Sequence, residues 1–268
     1  ALFDDPSKVE FRDLSAQERF TAAQTGEVDV VNRNTTWNIS RDTSSKMEFA
    51  PTTFYDTQGI MVSKASGTKE IKQLKGKSIC ILSGTTTEQN LADGMRKEGV
   101  TYNPLGFDDV DALYSAYGEG RCQAATSDRS QLAARRAVLA KPDDHIILDA
   151  NLSKEPLGPM VADGDAAWFD AVKWITYALM EAEELGINSQ NIATFQNSPD
   201  PNVKRFLGLE GKLGEDMGVP NDFAARIVKH VGNYSEIYDR NIGKPFGLKR
   251  GLNALWKDGG LLYSPPFR

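Results

Sequence analysis

The chain has 268 residues, 40% hydrophobic and 25% charged, with a formal net charge of −6. That length holds two lobes or one large α/β domain. The acidic balance leaves no excess of cations to neutralise phosphates, which argues against non-specific nucleic-acid binding, and no apolar run approaches the ~20 residues that span a bilayer.

Ser15-Ala16-Gln17-Glu18 is a capping-box signature, and the helix it opens stops at Gly26. Val28–Val31 reads as a short strand and Gly59–Lys64 as another, with a linker at Ala65–Thr68. An alternating pattern then begins. Strands are expected over Lys77–Leu82, around Thr101–Leu105, at Arg121–Ala125 and at His145–Leu148. Helices are expected over Glu88–Lys97, after a cap at Asp108, and over Ser130–Val138. Such alternation implies a mainly parallel sheet with helices on both faces. Pro156–Val161 reads as a return crossing. Asp165 caps a long helix in which Trp168, Val172, Ile175 and Leu179 recur at helical spacing, ending at Gly186. The last eighty or so residues read as helical and loop-rich, broken by prolines and glycines.

Two stretches in this pattern carry chemistry. Asn34-Thr35-Thr36-Trp37-Asn38-Ile39-Ser40-Arg41 and Ser83-Gly84-Thr85-Thr86-Thr87-Glu88 each read as a strand end, a Ser/Thr/Gly turn and a helix start. Such a turn presents backbone N–H groups and the positive end of a helix, which suit an anion. Arg41 adds a planar fork that matches a carboxylate in two parallel hydrogen bonds. The plain alternatives are ordinary N-capped turns, and a surface ion pair of Arg41 with Asp42 or Glu48. Asp128 closes an expected strand. It is either a ligand group at a strand's carboxyl end or the N-cap of the next helix. Cys80 and Cys122 sit in expected strands; they are either a bridge that closes a loop of about 40 residues or two buried thiols. With His145 and His230 they form no metal-ligand pattern.

These residues together resemble the periplasmic amino-acid-binding proteins of ABC transporters, in particular the larger, general L-amino-acid-binding branch. The matching stretches include Gly26–Val30, Asn32–Trp37, Ser40–Asp42, Lys75–Cys80, Ser83–Leu91, Gly120–Cys122, Ser153–Pro159, Val231–Tyr238 and Gly251–Trp256. The resemblance spans nearly the whole chain.

It implies an α/β, two-lobed fold of type II with parallel-rich sheets flanked by helices and a helical C-terminal extension. Lobe one would hold residues 1–64 and 158–268, and lobe two residues 65–157. Hinges are expected near Met61–Lys64 and Pro156–Val161. It further implies a receptor that binds an L-amino acid in the cleft, closes on it, and delivers it to a membrane permease from the periplasm. No cofactor or metal is called for. In the family an arginine at the position of Arg41 takes the ligand α-carboxylate, helped at Thr36 and by the turn at Thr86, and an acidic residue at the position of Asp128 takes the α-ammonium. Asn34, Trp37 and Thr85 complete the candidate set.

Family members begin with a strand, a loop and a helix ahead of the region matching Ala1, and Ala1–Phe3 reads as the end of that helix. Lobe one is therefore expected to be incomplete and to need the missing segment or a swapped copy for a full site. The rival class is a dehydratase-like enzyme on the same scaffold, with Glu88, Asp128 and Glu155 as its candidate acids; none comes with a convincing partner. A ligand-sensing ectodomain is a third.

Overall fold

The structure is a computed structural model and describes Phe3 and residues 5–268. The expected helix end at Ala1–Phe3 falls mostly outside the described residues. In chain order the elements that position the candidate residues begin with α1 (Glu18–Gln24), α2 (Ile39–Thr43), β1 (Met47–Phe49), β2 (Phe54–Asp56) and β3 (Gln58–Ser63). Then come β4 (Ser78–Leu82), α3 (Thr86–Lys97), β5 (Asn103–Phe107), α4 (Val110–Gly118), β6 (Ala124–Asp128) and α5 (Arg129–Ala137). Last are β7 (His145–Ile147), β8 (Glu155–Leu157), β9 (Met160–Ala162) and α6 (Ala166–Glu184), followed by short helices.

Contacts divide the chain into two compact units. One comprises Ala1–Arg12, Gly26–Phe54 and Gly158–Arg268; the other Asp13–Thr25 and Tyr55–Leu157. β3, which the sequence suggested belonged with the first lobe, is instead an interior strand of the second unit's sheet, paired with β6 and β7. Met61 and Val62, read as part of a hinge, are fully buried there. The chain passes between units at Arg12/Asp13, Thr25/Gly26, Phe54/Tyr55 and Leu157/Gly158; the last two fall at the short β2–β8 pair.

The second unit is built on a five-stranded sheet ordered β5-β4-β6-β3-β7. β4 runs parallel to β5 and β6, while β3 runs antiparallel to β6 and β7, so the sheet is mixed. Side chains alternate across a strand, and this sheet is apolar on both sides. Ile79, Ile81, Ile60 and Val62 pack with Leu91 and Met95 of α3. Cys80, Leu82 and Met61 pack with Leu113, Tyr114 and Tyr117 of α4 and Leu132 of α5. Cys80 and Cys122 are joined in a disulfide with Cα atoms 5.6 Å apart, which decides between the two sequence readings. The capping box at Ser15 forms: Ser15 N–H donates to Glu18 Oε2 at 2.9 Å and Glu18 N–H to Ser15 Oγ at 3.2 Å. At α4 the cap is Asp109 rather than Asp108; its carboxylate accepts from Ala112 N–H at 2.7 Å.

In the first unit β1 and β9 pair antiparallel. The expected strand at Val28–Val31 is reduced to one bridge, Val31 to Met160. Asp165 caps α6 as expected, accepting from Trp168 N–H at 2.9 Å. Ala178 and Ala182 of α6 pack with Phe206, Phe223, Ile227 and Phe267 in the core of the helical C-terminal region. Gly158 lies where an added Cβ would come within 3.1 Å of Pro51 O and 3.2 Å of Ala50 O. No larger residue fits there without moving backbone.

Glu181 on α6 is pushed up to about 7, first by burial and further by Glu184, against a hydrogen bond with Ser264. A carboxyl raised on folding stabilises the fold fully below the ordinary carboxylate range, and that contribution is lost as pH rises through about 7. Glu181→Gln is therefore expected to raise Tm by about 3 °C at pH 8, or ~1 kcal/mol, and to leave it unchanged at pH 4.5. Calorimetry at the two pH values checks this; an equal effect at both would remove the titration.

Candidate functional site

The first unit carries one set of candidate residues, around α2. Asn38 stands before the helix in extended conformation and its Oδ1 accepts from Arg41 N–H at 3.0 Å, so this turn is N-capped in the usual way. That cap places Arg41 within the single turn of helix, where it is 8% exposed. Its Nη1 donates to the Thr36 carbonyl at 2.8 Å, which holds the guanidinium plane against the turn. Thr35 and Thr36 are buried and Asn34 is half-buried. Trp37 is 46% exposed, stacks on Phe49 with centroids 6.3 Å apart, and donates its indole N–H to Asp42 Oδ1 at 3.3 Å. Asp42, weighed from sequence as a partner for Arg41, is thus engaged by Trp37. Glu48, the other candidate, has Oε2 buried with no hydrogen-bonding partner among the described residues.

The second unit carries the remaining candidate residues, placed by topology. From β4 the chain goes by α3 to β5 on one side of β4, and then by α4 to β6 on the other. The sheet therefore has its switch point between β4 and β6, at their carboxyl ends, which is where open α/β sheets bind ligands. Register brings the two ends level: Cys80 lies opposite Ala125, β4 ends two residues on at Leu82, and β6 ends three residues on at Asp128. Both sequence-chosen groups of this unit, the Thr85-Thr86 turn and Asp128, thus lie at the same edge of the sheet, at the ends of adjacent strands.

At the β4 end, Gly84 has φ +69°, a conformation that favours glycine. Thr85 occupies the N-cap of α3 in extended conformation without a side-chain cap; its hydroxyl donates back to Leu82 O at 2.7 Å. Thr86 Oγ1 donates to Glu155 Oε2 at 3.2 Å. At the β6 end, Asp128 is 5% exposed and holds the N-cap position of α5, yet its side chain makes no cap hydrogen bond. That task falls to Asp56, whose Oδ2 accepts from Ser130 N–H at 3.1 Å. Burial pushes the Asp56 carboxyl up, and the hydrogen bonds from Ser130 and Thr57 oppose it.

Two residues of this unit escaped the sequence-based site list. Gln58, fully buried, donates to Thr87 O at 3.0 Å and to Thr126 Oγ1 at 2.9 Å, tying the first turn of α3 to β6; its Oε1 is buried with no hydrogen-bonding partner among the described residues. Glu155, weighed from sequence only as an enzyme's acid, is 2% exposed and accepts from Thr86, from Asn90 Nδ2 at 2.7 Å, and from Ser153 Oγ. The only sequence signal for either was a polar residue inside a strand pattern.

An α/β fold in two units, with a buried arginine in one and a sheet with a topological switch point in the other, fits a small-solute receptor. The chain belongs to the bacterial extracellular solute-binding proteins, family 3, which it matches over residues 5–191. It is 51% identical, over all of its length and 80% of the relative, to a general L-amino acid-binding periplasmic protein of Rhizobium johnstonii. It is 46% identical, at the same coverage, to a glutamate/glutamine/aspartate/asparagine-binding protein of Rhodobacter capsulatus. A solved periplasmic binding protein of an ABC transporter from Brucella ovis, with glutathione bound, superposes with a TM-score of 0.97. It shares 49% identity, over all of this chain and 85% of that one. The fold is that of the periplasmic binding proteins, and the family is one of solute-binding transport proteins rather than enzymes. Among the described residues no helix is long and apolar enough to cross a membrane.

Proposed function

We propose that this chain is a periplasmic receptor that captures L-amino acids and delivers them to an ABC permease in the membrane. Arg41 takes the ligand carboxylate with the Asn34–Trp37 turn of its own unit, and the backbone N–H groups of the Thr85-Thr86 turn serve the same carboxylate from the other. Asp128 takes the ammonium. The observation that carries this reading is Asp128, a buried carboxylate at the switch point whose capping task is performed by another residue. A zwitterion needs a bidentate cation at one end and a carboxylate acceptor at the other. Relatives named for L-amino acids, at 51% and 46% identity, support the ligand class. The buried Cys80–Cys122 bridge suits an oxidising compartment.

Isothermal titration against a panel of L-amino acids, with the chain alone and with the segment expected to complete lobe one supplied, tests the reading; no binding in either case would sink it. Asp128→Asn is expected to lower amino-acid affinity about thirtyfold, the cost of removing one partner of a buried charge pair. The corresponding acids lacking the amine should lose far less. Equal losses for both ligands would remove Asp128 from its assigned role.

The solved relative with glutathione bound favours a second reading, in which a small peptide is the solute. Glutathione carries an α-amino-acid end of its own, so the same groups serve it. Including it in the panel separates the two: tighter binding than every free amino acid would select the peptide.

A further inference from the structure

We infer that Gln58 is a positioning residue whose buried amide sets the spacing between the start of α3 and the end of β6, and with it the spacing between the Thr85-Thr86 turn and Asp128. The inference rests on the receptor reading above and extends it to a residue outside the proposed ligand contacts.

The switch point is where the sheet is least tied together. Among the described residues the β4–β6 ladder stops at Cys80 and Ala125, although β4 runs on to Leu82 and β6 to Asp128. Beyond that rung each strand end is held by its outer neighbour. Leu82 pairs with Phe107 of β5, and Ser83 N–H donates to Phe107 O at 2.8 Å. Asp128 pairs with Gln58 of β3. The strands that carry the candidate groups are thus held from opposite sides, and backbone pairing leaves the separation of their ends open.

The Gln58 side chain crosses that gap. Its backbone is fixed first: Gln58 N–H donates to Ser153 Oγ at 3.3 Å, and its carbonyl accepts from Leu152 N–H at 3.0 Å. Its Nε2 then donates to Thr87 O in the first turn of α3 and to Thr126 Oγ1. Thr87 follows Thr86 directly, and Thr126 lies two residues before Asp128 on the same face of β6. The amide cannot be turned round. A carbonyl only accepts, and the Thr126 hydroxyl commits its one proton to Gly59 O at 2.7 Å, so both partners require an N–H donor. One planar group therefore joins the two elements, with both of its protons used.

This arrangement costs stability. Gln58 Oε1 is buried with no hydrogen-bonding partner among the described residues, and an unpaired buried acceptor carries its full desolvation penalty. Methionine has a similar length and no such atom. In Gln58→Met the Thr87 carbonyl keeps its place in the helical ladder of α3, and the Thr126 hydroxyl keeps Gly59 O. What methionine removes is the link itself. The variant is expected to hold Tm within about 2 °C of wild type, or above it, while the site loses its spacing.

The experiment measures affinities by isothermal titration for an L-amino acid and for the same acid lacking the amine. It compares wild type, Gln58→Met, Thr126→Val and the double variant, with the lobe-one segment supplied wherever wild type needs it. A zwitterion engages both ends of the spacing; the acid lacking the amine engages one. The ratio of the two affinities is expected to fall about tenfold in Gln58→Met, the scale of one misplaced charge-assisted hydrogen bond. Thr126→Val breaks the same link from its other end and should lower the ratio too. The double variant should match the larger single loss within about twofold. An unchanged ratio in Gln58→Met, or losses that multiply in the double variant, would overturn the inference. So would a lower Tm with the ratio intact, the result a purely structural amide gives.

A ligand-free readout separates this inference from the receptor reading. In the NMR spectrum of the free protein the two Gln58 side-chain amide protons should exchange slowly and show NOEs to Thr87 and Thr126. If they do and no amino acid binds, the receptor reading falls and the link stands. If they exchange freely, the link falls whatever the ligand.

Discussion

Arg41→Ala is expected to lower affinity for an L-amino acid by about a hundredfold or more, the scale seen when one partner of a buried, hydrogen-bonded charge pair is removed. The reason lies in the setting of the side chain. Arg41 is 8% exposed, so a carboxylate meeting it leaves water behind, and electrostatic attraction strengthens as the local dielectric falls. Its Nη1 is held on Thr36 O at 2.8 Å, which keeps the guanidinium oriented. Arg41→Lys keeps the charge and loses the planar fork; a loss nearly as large is expected, because a point charge does not replace bidentate geometry. Circular dichroism checks that both variants are folded. Isothermal titration is the measurement. Unchanged affinity in Arg41→Ala would place the carboxylate site elsewhere.

Removing the disulfide is expected to be the largest stability effect. Cys80 lies in the middle of β4 and Cys122 just before β6, 42 residues apart in sequence. A link of that span lowers the entropy of the unfolded chain by an amount worth ~4 kcal/mol at 25 °C in the loop-closure account. Both residues are also buried in the apolar cluster beneath α4, so Cys80→Ala with Cys122→Ala removes packed atoms as well. The double variant should lose about 4 kcal/mol in urea unfolding, or ~10 °C in Tm. The native bridge, with both cysteines at 2% exposure or less, should resist reductant until the protein unfolds. A double variant within about 0.5 kcal/mol of wild type would mean the unfolded chain is already constrained in that region.

Both results depend on pairings of different legibility. The two candidate turns could be read from sequence as turns because everything in them is local. A capped helix start after Ser/Thr/Gly is written in consecutive residues, and Arg41 lies three positions from its cap, Asn38. The capping box at Ser15 and the cap at Asp165 were legible for the same reason. Asp128 could be placed at a strand end but not given its task. The residue that caps α5 in its stead is Asp56, 74 positions before Ser130, and no local pattern announces that distance.

By itself, then, the sequence determined the alternation of strands and helices, the positions of the turns, and the residue types that could hold a zwitterion. These follow from side-chain periodicity and backbone hydrogen bonding over a few residues. Tertiary structure decided which strands are neighbours: that β3 joins the second unit's sheet, that β4 and β6 enclose the switch point, and that Cys80 and Cys122 are close enough to bond. It also decided that Glu155 meets Thr86 across 69 residues. Strand partnership is a contest among all apolar faces in the chain, and a buried carboxylate takes whichever donors the winning arrangement brings to it.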